Sequence, residues 1–140
     1  MEHVSQLSYL YKMNDCTFLI VDDSEIDQTV TKLLLSRKLG VANIECVSNG
    51  AEAMGWLQAN QNRIETCLVI ILDIRMPVMD GFEFLDVYPT LSLSLRNKIS
   101  IIMLSSSLDP NDTLKASKNM AVKKLLSKPL SVQELINSFV

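Results

Sequence analysis

The sequence is short of basic charge, of cysteine and of long apolar runs, and each shortage closes off a class of protein. Thirteen Lys and Arg against 16 Asp and Glu leave a formal net charge of −3 at pH 7 and a pI near 5.1. That is the wrong sign for a surface that grips phosphate backbones, so nucleic acid is not expected as a direct partner. The longest apolar stretch runs only from Cys67 to Leu72, far short of the roughly 18 residues a membrane span needs. Glu2, Ser5, Gln6 and Lys12 interrupt the start of the chain, which therefore does not read as a secretory signal. Three cysteines, Cys16, Cys46 and Cys67, make an odd set without metal-ligand spacing. Each lies at or within a predicted strand, so all three are expected to be buried small hydrophobes in a reducing, cytoplasmic setting.

What is present is an ordinary globular composition, 48% hydrophobic and 21% charged over 140 residues, enough for one domain with a continuous core and too little for two. Residues 1–14 are set apart as an N-terminal extension, with Val4, Leu7, Leu10 and Tyr11 loosely at helical spacing and Met13 as a second candidate start; residues 15–140 form the domain. Within it, short apolar runs alternate with helical patterns. CTFLIV reads as a strand, followed by Ser24 as an N-cap and a helix whose buried face is predicted from Ile26, Val30, Leu33 and Leu34, ended by Gly40. A strand over 43–47 leads through Asn49-Gly50 into a helix carrying Ala53, Met54, Trp56 and Leu57. LVIIL is the third strand, and Phe82 to Tyr88 a short helix closed by Pro89. Ile99 to Leu104 and Val122 to Ser127 complete five strands. Asp109-Pro110 opens a short, weakly packed helix, and Val132, Leu135, Ile136 and Phe139 mark the last one. Five βα units in series predict a doubly wound, flavodoxin-like α/β fold with a five-stranded parallel sheet. Right-handed crossovers leave few topologies, and the order 2-1-3-4-5 sets strands one and three side by side at a switch point.

Four of those strands end in a reactive polar group: Asp22-Asp23, Asp73, Ser105 and Lys128. Ligands of open α/β sheets bind beyond the carboxyl ends of the strands, so these residues are expected to meet. Three carboxylates in one pocket repel one another unless a cation compensates. Oxygen-only ligands favour Mg²⁺, with Mn²⁺ as its substitute, and an open coordination position on such a metal implies a phosphate. Asp73 is then the nucleophile that forms an aspartyl phosphate, with Lys128 as a point charge, Ser105 as a hydroxyl donor, and backbone N–H groups near Ile74 and Ser106 assisting. Taken singly, each residue has a duller explanation as a cap, a turn residue or a solvated charge. Those explanations must all hold at once, at one end of one sheet.

IVDDSE, LDIRMPVMDGFEFL, the hydroxyl at Ser105 and the Lys128-Pro129 pair stand in the order and with the separations of the receiver domain of two-component response regulators. From Asn14 to Val140 the chain resembles that family, in the manner of a stand-alone chemotaxis regulator. The resemblance implies that Asp73 accepts a phosphoryl group from a histidine kinase or histidine phosphotransfer protein. It implies that Asp22 (through water), Asp23, Asp73 and the backbone carbonyl of Arg75 bind Mg²⁺, that Ser105 swings toward the phosphoryl group, that Lys128 pairs with it, and that the bond before Pro129 is cis. It implies a phosphoacceptor, not a turnover enzyme, whose output is a partner protein, either docked or supplied with phosphate in a relay.

The chain departs from the family at three positions. Leu125 stands where an aromatic residue usually rotates inward with the hydroxyl, so the switch is expected to work differently there. Ser106 replaces the usual alanine. Arg75, two residues past the nucleophile, lies where the family varies phosphoryl lifetime, and a long side chain there is expected to slow self-dephosphorylation. Two other readings compete. One is a constitutive interaction module that keeps the fold and ignores phosphate, which Leu125 favours. The other is a haloacid-dehalogenase-like phosphatase, against which the residue order argues because its nucleophile belongs on the first strand.

Overall fold

Thr17–Val21 (β1), Leu68–Asp73 (β3) and Ile99–Ser105 (β4) are dominated by β-branched and leucine side chains, the composition of strands covered on both faces. The computed structural model describes residues 13–140, and in it these strands, with Ile44–Val47 (β2) and Val122–Ser127 (β5), form one sheet in the order β2-β1-β3-β4-β5. Every pairing is parallel. The expected helical pattern at Val4, Leu7, Leu10 and Tyr11 lies outside the described residues.

Period-two alternation divides the strand side chains between two cores. Phe18, Ile20, Val69, Ile71, Ile102 and Leu104 face α1 (Glu25–Leu39) and α5 (Val132–Asn137), meeting Leu35, Leu39, Leu135 and Ile136. Leu19, Val21, Ile70, Leu72, Ile101 and Met103 face the opposite way, toward α2 (Gly50–Asn60) and α3 (Gly81–Val87), meeting Ala53, Leu57, Phe84 and Leu85. Helix α4 (Pro110–Ser117) lies on that second side and buries only Ala116. Met13, assigned from sequence to the extension, is buried in the first core. Before β4 the chain forms a single helical turn, Leu93–Arg96, capped by Ser92.

Local chemistry sets the helix ends. The Ser24 hydroxyl accepts from the Asp27 N–H, acidic Glu25 and Asp27 occupy the first turn and basic Arg37 and Lys38 the last, and Gly40 stops the helix at φ 68°, a conformation that suits glycine. Asp80 and Glu83 cap α3 reciprocally, at 2.9 Å and 3.1 Å.

Two expectations are corrected. The predicted inner face of α1 points outward: Ile26 is 78% exposed, Val30 41% and Leu33 43%, while Thr31, Leu35 and Leu39 are buried and Leu34 only partly so. The run Leu33-Leu34-Leu35 covers three adjacent helix faces, so either stripe satisfies the helical period. The cysteines are not three buried thiols. Cys16 and Cys67 form a disulfide with Cα atoms 4.8 Å apart, and Cys46 is an exposed free thiol on edge strand β2. The pairing follows from register, because Thr17 aligns with Leu68 and the residues before them are therefore neighbours on adjacent strands. Cysteine usage thus loses its force as a sign of a reducing compartment.

Candidate functional site

The carboxyl ends of β1, β3, β4 and β5 are brought level by register. Val21 pairs with Leu72, so Asp22 follows beside Asp73, and Asp73 pairs with Leu104, one residue before Ser105. A register irregularity between Ile101 and Ile102 leaves Lys123 unmatched and sets Ser127 against Ser105, the re-aiming that a bulge performs. Lys128 follows at once, and its N–H donates to the Ser105 carbonyl at 2.8 Å. The Lys128-Pro129 peptide is cis.

One ammonium is shared among three carboxylates. Lys128 Nζ lies 2.8 Å from Asp22 Oδ2, 2.9 Å from Asp27 Oδ2 and 3.2 Å from Asp73 Oδ2. Ligand oxygens of Asp22, Asp23 and Asp73 all lie within 4.8 Å of one another, with Asp22 and Asp73 buried and Asp23 exposed. Asp22 is held in place on both sides: its Oδ1 accepts from the Ser24 N–H at 2.9 Å and its carbonyl accepts from Gln28 Nε2 at 2.6 Å. Burial raises the Asp73 carboxyl to about 6, with Lys128 opposing the shift and Asp22 adding to it. Burial works to lower the Lys128 pKa, but hydrogen bonds to Asp22 and Asp27 and the charge of Asp73 outweigh it, and the net shift is upward.

Ser105 is buried at the end of β4. Its hydroxyl donates to the Ser107 carbonyl and accepts from the Ser107 N–H, so it is turned along its own loop. Leu125 is half-buried, aligned with Met103 across β4 and packed against the α2–α3 core. Arg75 is exposed, and its Nη2 donates to Asp112 Oδ2 of α4 at 2.6 Å.

The loop after Asp73 is folded tightly. Gly81 donates to the Ile74 carbonyl at 2.8 Å, and a Cβ at position 81 would collide with the Asp73 carbonyl oxygen, so glycine is required for α3 to start this close to the nucleophile. Val78 takes φ 69° while the Met79 N–H donates to the Pro77 carbonyl at 2.7 Å. A positive φ at a β-branched residue is strained.

The structure therefore brings together Asp22, Asp23, Asp73 and Lys128, with Ser105 alongside and Arg75 reaching away to α4. Sequence reasoning missed Asp27, Gln28 and Asp112. Both acids stand third in their helices, where a capped helix favours an acid in any case, and that role concealed the contacts they make.

The fold and site define an open, doubly wound parallel α/β domain with an acidic, lysine-bridged pocket at its switch point. The chain matches the family model of the response regulator receiver domain over residues 18–139, and it belongs to that family. It is 31% identical over 119 residues to a two-component response regulator of Arabidopsis thaliana, covering 85% of this chain and 20% of the relative. A crystal structure of a two-component response regulator from Cytophaga hutchinsonii superposes with a TM-score of 0.79 at 30% identity, covering 88% of this chain and 92% of that one. The CheX-CheY-BeF3-Mg complex from Borrelia burgdorferi gives 0.67 at 25% identity, covering 89% and 86%. The chain spans about a fifth of the Arabidopsis thaliana regulators it matches. Among the described residues no helix is long and apolar enough to cross a membrane.

Proposed function

We propose that this receiver takes a phosphoryl group onto Asp73 from the phosphohistidine of a histidine kinase or histidine phosphotransfer protein, with Mg²⁺ or Mn²⁺ as cofactor, and that a partner protein reads the change. The observation that carries this reading is the meeting of Asp22, Asp23 and Asp73 within 4.8 Å around a single ammonium, Lys128. Carboxylates outnumber the cation, the donors are all oxygen, and two of the three are buried, a set that fits a hard divalent ion. Asp23, Asp73 and the Arg75 carbonyl would hold it directly and Asp22 through water. When bound, the ion supplies the positive charge that lets a carboxylate approach an anionic phosphoryl group. The Borrelia burgdorferi CheX-CheY neighbour, a complex with BeF3 and Mg²⁺, supports the same chemistry here.

In the transfer, an Asp73 carboxylate oxygen attacks phosphorus. A P–O bond forms, the P–N bond to the donor histidine breaks, and the imidazole nitrogen keeps the bonding pair. Lys128 turns from its carboxylates to pair with the phosphoryl oxygens, and the Ser105 hydroxyl leaves the Ser107 carbonyl to donate to them. The Ile74 and Ser106 N–H groups complete the cradle. Arg75, two residues past the nucleophile and held on α4 through Asp112 in the resting protein, slows hydrolysis of the adduct once it turns toward it. The decisive measurement is intact mass after incubation with Mg²⁺ and acetyl phosphate. One phosphoryl group is expected on the wild type and none on Asp73→Asn; an unmodified wild type would overturn the reading in favour of a constitutive interaction module.

A further inference from the structure

Helix α4 packs against β5 with little buried apolar surface, and two charged side chains tie it to the opposite side of the site. It buries only Ala116, and Leu114 stands 55% exposed. Its side-chain anchors reach the segment that follows the nucleophile: Asp112 pairs with Arg75 at 2.6 Å, and Lys115 Nζ lies 4.3 Å from the centre of the Phe82 ring. Asp112 is largely covered, with 13% side-chain exposure, whereas Arg75 remains 66% exposed. An ion pair with one partner this open to solvent is weak and easily exchanged. A phosphoryl group presents more charge and a set of oxygens that a guanidinium can bridge with two N–H bonds.

We propose that Asp112 is a positioning residue for the phosphoryl chemistry and that Arg75 is the moving part of a latch between Asp73 and α4. In the resting protein Asp112 holds the Arg75 guanidinium on α4. Once Asp73 is phosphorylated, Arg75 exchanges Asp112 for the phosphoryl oxygens. The adduct is then shielded from the water whose attack on phosphorus would break the P–O bond, release inorganic phosphate and return the Asp73 carboxylate. Asp112 loses its partner at the same moment, and α4 keeps its packing on β5 through Ala116 and the Lys115–Phe82 contact but no longer its tie to Arg75. This gives the chain a route from the site to its surface that does not pass through Leu125, which has no ring to rotate. It rests on the phosphoacceptor reading above.

Phosphoryl decay after acetyl phosphate labelling, followed by intact mass with Mg²⁺ present, tests the latch in the wild type, Asp112→Asn, Asp112→Glu and Arg75→Ala. Freeing the guanidinium in Asp112→Asn is expected to slow decay several-fold, Asp112→Glu to restore the wild-type rate, and Arg75→Ala to speed decay. Hydrogen exchange over residues 110–117 is expected to rise on phosphorylation of the wild type and to be raised already in unmodified Asp112→Asn. An adduct that decays at the wild-type rate in Asp112→Asn overturns the latch and leaves the phosphoacceptor reading standing. Failure to form any adduct on the wild type overturns both.

Discussion

Asp73 sits in a pocket that disfavours its own charge. Burial holds its carboxyl at about 6 against an ordinary value of 3.8, even with Lys128 opposing the shift. For a raised folded-state pKa the stabilising contribution is complete below about 3.8 and is lost as the pH rises through about 6. At neutral pH the metal-free fold therefore carries a penalty that a divalent cation held in the pocket would relieve. In EDTA at pH 7.5, Asp73→Asn is expected to be more stable than wild type by about 1–2 kcal/mol, after discounting for solvent screening. The gap should close toward pH 4, and added Mg²⁺ should raise the Tm of wild type more than that of the variant. Equal stability across that range would remove the charge penalty as a reason for the site to take up the proposed cation. Asp22, Asp73, Ser105 and Lys128 were legible in the sequence because strand ends converge by topology alone. Asp27, bound to Lys128 at 2.9 Å, was not, since a third-position helix acid needs no further explanation.

Helix α1 shows where pattern reading fails at the scale of an element. Its existence, its Ser24 cap and its Gly40 stop follow from local chemistry, but its rotation about its own axis does not. Three consecutive leucines supply apolar side chains to neighbouring faces, and the choice among them is made by contact with the sheet and with α5. Leu35 is fully buried and Leu33 is 43% exposed, so the two chemically identical truncations should separate sharply. Leu35→Ala is expected to cost about 2–5 kcal/mol of unfolding free energy, and Leu33→Ala no more than about 0.5 kcal/mol. Urea titrations of the two variants check this, and comparable losses would return the helix to the orientation that the Ile26, Val30, Leu33 and Leu34 spacing predicts.

For the whole molecule, the five-stranded order was legible because alternating strand and helix patterns, combined with right-handed crossovers, leave little choice. The covalent link between β1 and β3 was not, because it depends on a register that only pairing reveals: Cys16 and Cys67 become neighbours once Thr17 aligns with Leu68. The bond lies at the amino ends of the strands, opposite the acidic pocket, and closes a loop with a sequence separation of 51. Restricting the unfolded chain over a loop of that length stabilises the fold by about 2–4 kcal/mol. Reduction, or Cys67→Ser, is therefore expected to lower the Tm by roughly 10 °C while leaving acetyl phosphate labelling of the folded protein at 25 °C unchanged. Thiol titration before and after denaturation should find one free thiol, Cys46, in the oxidised chain and three after reduction. Three titratable thiols in the chain purified without reductant would mean that the link contributes nothing to its stability.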